Sequence, residues 1–92
     1  MKVKVGEFVR HRGTKLWGKV VEVIPQHDTT SEVRIRYLGE PPSYAREASP
    51  GRGAGEAWWG SYHIDHIDHA MDREPTPDEQ RRPWTIDNYR AG

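Results

Sequence analysis

The sequence predicts a single small domain, built mainly of β-strands that close into a small barrel. Several short runs alternate apolar and charged residues with a period of two, which is the pattern of a strand with one buried face. Glycine-containing and polar turn sequences separate these runs at close spacing, as in small barrels and sandwiches. Before residue 70, no stretch has the periodicity of a long amphipathic helix.

The length and composition limit what this domain can contain. The chain has 92 residues, of which 34% are hydrophobic and 30% are charged, so we expect one thin core. It has no cysteine, which excludes disulfides and thiolate zinc sites, and we expect no cofactor. The first twenty residues lack the apolar stretch of a signal peptide, and no apolar run is long enough to span a membrane. We therefore expect a cytoplasmic setting and no membrane partner.

The first two strands are predicted from the N-terminal third of the chain. Residues 8–11 form a short strand candidate, and Gly13 in the following turn can supply a positive φ at little cost. Residues 16–24 are long and rich in β-branched side chains, and Pro25 closes them. We interpret them as a bent strand, with Gly18 permitting the bend.

The third strand, residues 32–38, has the clearest alternation in the sequence. It is predicted to place Val33, Ile35 and Tyr37 inward, with outward side chains from Glu32, Arg34 and Arg36. Residues 39–56 contain several glycines and prolines without apolar periodicity, and are predicted to be a flexible loop.

A fourth strand resumes at Glu56 and is predicted to run to Ile64. Alternation puts Trp58 on one face and Trp59 on the other, and we expect Trp58 in the core and Trp59 on the surface. A closing strand is expected near Ala70. The barrel is thus assigned to residues 1–72.

Residues 73–92 are predicted to be a C-terminal tail with a short helix. Thr76 has the properties of an N-cap, Pro77 suits the first helical position, and Glu79 completes a capping box. Pro83 is expected to end the helix. The apolar residues between 84 and 89 are expected to dock on the barrel or on another chain.

The N-terminal turn chemistry also resembles that of a known group of domains. The segment from Val5 to Val23, with its Gly-Glu pair, glycine turn and Gly-Lys-Val, resembles the opening of KOW and Tudor-like SH3 barrels. The resemblance implies an SH3-like barrel, and a range of partners that includes RNA polymerase, nucleic acids and protein tails. As a small stand-alone chain it also resembles bacteriophage accessory proteins.

One set of residues is predicted to form an outward aromatic and basic face. Such a face can stack bases and contact phosphates, or anchor an acidic protein partner. The alternative is that the strand surfaces are charged only for solubility, and Trp17 taken alone is expected to be buried. The candidate binding residues are Arg10, Trp17, Lys19, Arg34, Arg36 and Trp59.

A tandem His-Ile-Asp repeat begins at the end of the fourth strand, at His63, and suggests a metal site. The spacing argues against a single ion shared by His63, His66 and His69. On a strand His66 would face away from the other two, and on a helix the three side chains would be spread along the axis over much more than a metal-ligand distance. A two-ligand or intermolecular site stays open. The alternative is that Ile64 and Ile67 fill the core from a 3₁₀ turn, with solvated polar residues between them.

The functional prediction is a binding module without catalytic activity. The chain has no glycine-rich phosphate loop, nucleophile elbow or metalloprotease helix motif. A protein partner, in the host transcription or nucleic-acid machinery, is the first hypothesis. Direct nucleic-acid binding through the basic N-terminal half is the alternative, although the net charge is zero. Metal binding by the histidine repeat is a further alternative.

Overall fold

The computed structural model describes residues 3–25, 31–60 and 67–81. These residues form five antiparallel strands in one sheet, one 3₁₀ turn and one short helix, and the sheet order is β4-β3-β2-β1-β5. The elements are β1 (Phe8–His11), β2 (Trp17–Pro25), β3 (Ser31–Tyr37), the 3₁₀ turn (Ser43–Ala45), β4 (Glu56–Gly60), β5 (Ile67–Met71) and α1 (Pro77–Arg81).

The mainly β class is confirmed, but the predicted closed barrel is not what the sheet shows. The strand near Ala70 exists as β5 and pairs with β1, with Ala70 opposite Val9. Within the described residues no ladder joins β4 to β5, so these two strands are the edges of an open sheet. The connection between them, residues 61–66, lies outside the described part of the chain.

The irregularity in β2 lies further along the strand than the sequence predicted. Gly18 sits in the regular ladder, opposite Val9 on one side and Tyr37 on the other. The register with β3 shifts between Val20 and Glu22 instead. Gly18 is needed for close packing, because a Cβ there would lie 2.7 Å from the Cδ1 of Ile35.

The core lies on one side of the sheet and follows the alternation of β3. Val33, Ile35 and Tyr37 are all buried, while Glu32 and Arg36 on the same strand are exposed, as predicted. The main cluster consists of Val3, Val9, Val20, Val33, Ile35, Tyr37, Ala45, Trp59, Ile67 and Ala70. A smaller cluster of Phe8, Trp17 and Met71 is separate from it.

The two adjacent tryptophans of β4 face opposite sides of the sheet, but the buried one is Trp59 and not Trp58, contrary to the prediction. Trp59 is 4% exposed and its ring meets Tyr37 and His11 edge to face, with centroids 5.6 and 5.0 Å apart. Trp58 is half-buried and lies on the other side. The pairing of Trp59 with the buried Val33 sets this phase.

The turn between β1 and β2 forms where it was predicted, with a different residue in the left-handed region. Lys15 has a φ of 64°, whereas Gly13 does not have a positive φ. The Nδ1 atom of His11 accepts hydrogen bonds from the backbone N–H groups of Gly13 and Thr14 at 3.0 and 3.1 Å. A side chain of β1 therefore organises the turn that follows it.

The segment predicted as a flexible loop has structure of its own. Its 3₁₀ turn buries Ala45, which joins the core and accepts a hydrogen bond from the Gly55 N–H at 2.7 Å. The guanidinium of Arg52 donates to four carbonyl oxygens at 3.0 to 3.4 Å, those of Tyr44, Glu47, Gly53 and Glu56. These bonds connect the middle and the end of the segment to Glu56, the first residue of β4.

The predicted helix start is confirmed in detail. The Thr76 hydroxyl accepts from the Glu79 N–H at 3.2 Å, and the Glu79 carboxylate accepts from the Thr76 N–H at 2.9 Å. Arg73 adds two bonds of 2.7 Å to the same carboxylate. The predicted stop at Pro83 and the tail lie outside the described residues. In the part of the chain described here, no helix has the length and apolar character needed to cross a bilayer.

Candidate binding face

The side of the sheet opposite the main core, here called the outer face, carries most of the predicted binding residues. Alternation along β2 and β3 places Lys19, Arg34 and Arg36 there, and β4 adds Trp58 and Glu56. The pairing of β2, β3 and β4 fixes the relative positions of these side chains.

Lys19 and Arg36 are the exposed cations at the centre of this face. They are directly opposite each other across β2 and β3, so two positive charges are cross-strand neighbours. Lys19 also lies over the ring of Phe8, with its Nζ atom 5.8 Å from the ring centroid. The Arg36 side chain is 64% exposed and reaches the Glu56 carboxylate at 3.4 Å.

Arg34, the third predicted cation, is held by two carboxylates. Its guanidinium lies 2.8 Å from Glu56 and 2.9 Å from Glu22, the latter being its neighbour across β2. The hydrogen bond to Glu56 is the main cause that raises the pKa of Arg34. Arg34 is therefore less available to a ligand than Lys19 or Arg36.

Glu56 is a buried carboxylate that the sequence did not single out. It is 4% exposed, and its Oε1 atom accepts from Arg34 and, at 2.7 Å, from the backbone N–H of Gly53. Burial raises the pKa of Glu56, but the bonds from Gly53 and Arg34 outweigh it, and the net change lowers the pKa below its ordinary value. Glu56 links the 39–55 segment to the outer face.

Trp58 takes the place on the outer face that was predicted for Trp59. The guanidinium of Arg34 lies 5.9 Å from the Trp58 ring centroid, and the indole N–H donates to the Gly51 carbonyl at 3.0 Å. The half-buried ring is thereby held against the face in one position. The predicted outward orientation of Trp59 is wrong, because its ring is in the core.

Arg10 and Trp17 lie on the same side of the sheet but are buried. They are cross-strand partners, and Trp17 packs with Phe8 and Met71 in the smaller cluster at 3% exposure. The burial expected for Trp17 taken alone is confirmed, and the outward position predicted for Arg10 and Trp17 as binding residues is corrected. Lys19, Arg34 and Arg36 are the predicted residues that the structure brings together with accessible surface.

The histidine repeat falls mostly outside the described residues. His63, His66 and the side chain of His69 are not described, so metal binding by this repeat stays a prediction from the sequence. Ile67 is buried in the main cluster as expected, although it belongs to strand β5 and not to a 3₁₀ turn. Among the residues that are described, no group of three or more potential metal ligands occurs.

Two residues of the face, Glu56 and Trp58, were missed for the same reason. The faces on which Glu56 and Trp58 lie depend on how β4 pairs with β3. The sequence of β4 does not decide this, because either of the two adjacent tryptophans could be the buried one. The charge alternation of β3 was a usable signal, because a carboxylate on a neighbouring strand stabilises outward arginines.

The fold and the face together define a small, mainly β protein with an open five-stranded antiparallel sheet and a charged outer face. Comparison of the chain with protein-family models, with curated proteins and with solved structures finds no match.

Proposed function

We propose that this chain is a non-catalytic binding module that engages a protein partner through its outer face. The observation that carries the proposal is that Lys19 and Arg36, both exposed, share one face of the sheet with the half-buried ring of Trp58. Arginine and tryptophan side chains beside a rigid backbone supply the charge and contact area that protein interfaces use.

The sequence resemblance and the strand order support a finer class for this module. In an SH3-like barrel of the KOW or Tudor type, β4 and β5 would be the strands that approach each other, and they are the two edges of this sheet. The resemblance implies a partner in the transcription or nucleic-acid machinery of the host. The cytoplasmic setting and the likeness to bacteriophage accessory proteins stay predictions from the sequence.

Reversing the charge of the two exposed cations tests the proposal. Lysate of the source cells is passed over the wild-type chain, over the Lys19→Glu/Arg36→Glu variant and over the control Arg46→Glu/Arg81→Glu. The control reverses two exposed charges that lie outside the five strands. We expect proteins retained by the wild type and the control to be lost from the outer-face variant, as quantified by mass spectrometry.

Equal retention by all three chains, with each chain shown to be folded by circular dichroism, would contradict the proposal. Chemical crosslinking of a retained partner to the chain is a second check. Crosslinks that map to the sheet edges and not to the outer face would also contradict the proposal. Carrying out the wash at rising salt adds a check, because contacts made by exposed charges weaken as they are screened.

Nucleic-acid binding by the basic N-terminal half is the second candidate. The observation that favours it is that Lys4, Arg12 and Lys15 are exposed, the last two in the turn after β1. Binding of single- and double-stranded DNA and RNA should then fall steeply with salt, with a log–log slope set by the number of phosphate contacts. No gel shift at low salt would remove this candidate.

A further inference from the structure

The outer face contains a pair of like charges on neighbouring strands. Lys19 and Arg36 are directly opposite each other, and like charges in such positions destabilise a sheet. The nearby Glu56 is shared, since it already accepts shorter bonds from Arg34 and Gly53 than the 3.4 Å contact from Arg36. The nearest carboxylate therefore neutralises Arg36 only in part.

The charges of the surrounding cluster do not cancel. Lys19, Arg34 and Arg36 contribute three positive charges, and the carboxylates that contact the two arginines, Glu22 and Glu56, contribute two negative charges. Glu32 is on the same side of the sheet but lies four residues from Arg36 along β3, outside this cluster. The one remaining positive charge is centred on Lys19 and Arg36. The contacts of the two charged groups lie on opposite flanks of the pair, Lys19 with the Phe8 ring on β1 and Arg36 with Glu56 on β4.

We propose that this pair is the anchor for an acidic side chain of the partner protein, whose carboxylate lies between Lys19 and Arg36. This inference rests on the proposed function and names the chemistry of the partner. A bound carboxylate would convert the unfavourable pair into two favourable ones, in a charge-assisted contact to the guanidinium. The half-buried Trp58 ring, near Arg34, offers an apolar surface on the same face as the anchor.

The neighbouring acids favour an acidic protein segment over a nucleic acid. Glu22 and Glu32 are on β2 and β3 on the same side of the sheet, and their side chains are at least partly exposed. A polyphosphate backbone following either strand would meet these carboxylates, whereas one or two carboxylates placed at Lys19 and Arg36 would not. Tight nucleic-acid binding needs several phosphate contacts, which two cations do not supply.

A double-mutant cycle tests the premise that the pair is repulsive. Lys19→Met and Arg36→Met remove each charge while keeping the apolar stem, and the cycle isolates the pair from the contacts each residue makes elsewhere. We expect a coupling of unfavourable sign, measured by urea unfolding at low salt, which shrinks as salt rises. A coupling of favourable sign would overturn the premise.

Binding is then measured with a defined probe, a fluorescein-labelled peptide of alternating threonine and glutamate. The same peptide with glutamine is the uncharged control, and a single-stranded oligonucleotide of matching length is the competing class. We expect the acidic peptide to bind with amide shifts centred on Lys19 and Arg36, and Lys19→Met to weaken it about three- to fivefold. Arg81→Met, which removes an exposed charge on α1, should leave it unchanged.

Each result either supports or overturns the inference. No binding of the acidic peptide, or shifts centred on other residues, would overturn the anchor. Tighter binding of the oligonucleotide at the same residues would overturn the protein partner class. The Lys19→Glu/Arg36→Glu variant could fail to retain the lysate proteins while the acidic peptide does not bind the wild type. That result would support the proposed function and overturn the carboxylate anchor.

Discussion

The carboxylate of Glu56 accepts a 2.8 Å hydrogen bond from the guanidinium of Arg34, although Glu56 is almost completely buried. The same oxygen accepts from the Gly53 N–H, so one side chain joins β3, β4 and the 39–55 segment. A buried carboxylate is tolerated only when its charge is paired and its oxygens are bonded. Removing the charge of Glu56 should therefore have a measurable effect on the stability of the fold.

Replacing Glu56 with glutamine should destabilise the fold. Glutamine keeps the shape but loses the charge and leaves Arg34 poorly paired, so the free energy of unfolding should fall by about 1.5–3 kcal/mol in urea titrations. Glu40→Gln is the matched control, because Glu40 contacts Arg46 in an exposed pair and should cost less than about 0.5 kcal/mol. Similar losses for the two variants would contradict the role given to Glu56.

Stability should decrease in acid because two carboxyl groups have lowered pKa values when folded. For Glu79, the hydrogen bonds from Arg73 are the main cause that lowers the pKa from 4.5 to about 2, and the pKa of Glu56 is lowered as well. A group of this kind stabilises the fold above its unfolded pKa and loses that contribution as the pH falls through its folded pKa. For Glu79 the loss should therefore occur between 4.5 and about 2.

Urea titrations at a series of pH values check this expectation. The free energy of unfolding of the wild type should fall below pH 4.5, the ordinary value for both groups. In Glu79→Gln the fall should be smaller, because the group that takes up the proton is gone. An unchanged acid dependence in both Glu56→Gln and Glu79→Gln would refute the assignment.

The two tryptophans of β4 should respond very differently to truncation. Trp59→Ala removes a core side chain and should lower the free energy of unfolding by about 3–5 kcal/mol. Trp58→Ala loses one hydrogen bond to Gly51 and a half-buried contact, and should cost about 1–2 kcal/mol while leaving the fold intact. A larger loss for Trp58 than for Trp59, measured by thermal and urea unfolding, would reverse the assignment of faces.

Gly18→Ala should strain the centre of the sheet. The added Cβ would lie 2.7 Å from Ile35 Cδ1 and 3.0 Å from its Cβ, and overpacking of this kind costs about 1–3 kcal/mol. Ile35→Val removes Cδ1 and should relieve part of the strain, so the Gly18→Ala/Ile35→Val pair should be more stable than the two single effects predict. Strict additivity in a double-mutant cycle would show that the contact with Ile35 does not cause the loss of stability in Gly18→Ala.

Arg52→Lys should loosen the 39–55 segment without changing its charge. An ammonium group cannot reach four carbonyl oxygens with the fixed fork of a guanidinium, so the amide of Gly55, which donates to Ala45, should exchange faster with solvent. Arg46→Lys is the control, because Arg46 is exposed and contacts Glu40 and one carbonyl. Hydrogen exchange measured by NMR should separate the two, and equal protection would argue against the role of Arg52.

Local chemistry in the sequence was enough to predict several elements. The alternation of β3 identified Val33, Ile35 and Tyr37 as buried, because side chains of a strand alternate whatever the strand pairs with. The capping box of α1 was predictable because Thr76 and Glu79 bond to each other's backbone over three residues. Lys19, Arg34 and Arg36 were placed together on one face by the same alternation, with the order of strands assumed.

Tertiary structure decided what depends on contacts between segments distant in sequence. Which tryptophan of β4 enters the core was set by the register with β3, since a shift of one residue exchanges the two faces. The 39–55 segment was organised by Arg52 and Glu56, whose partners no local pattern identifies. The sequence by itself thus determined the strands and the helix cap, and the tertiary structure decided that Lys19 and Arg36 meet beside a buried Glu56, because pairing register is a property of two strands together.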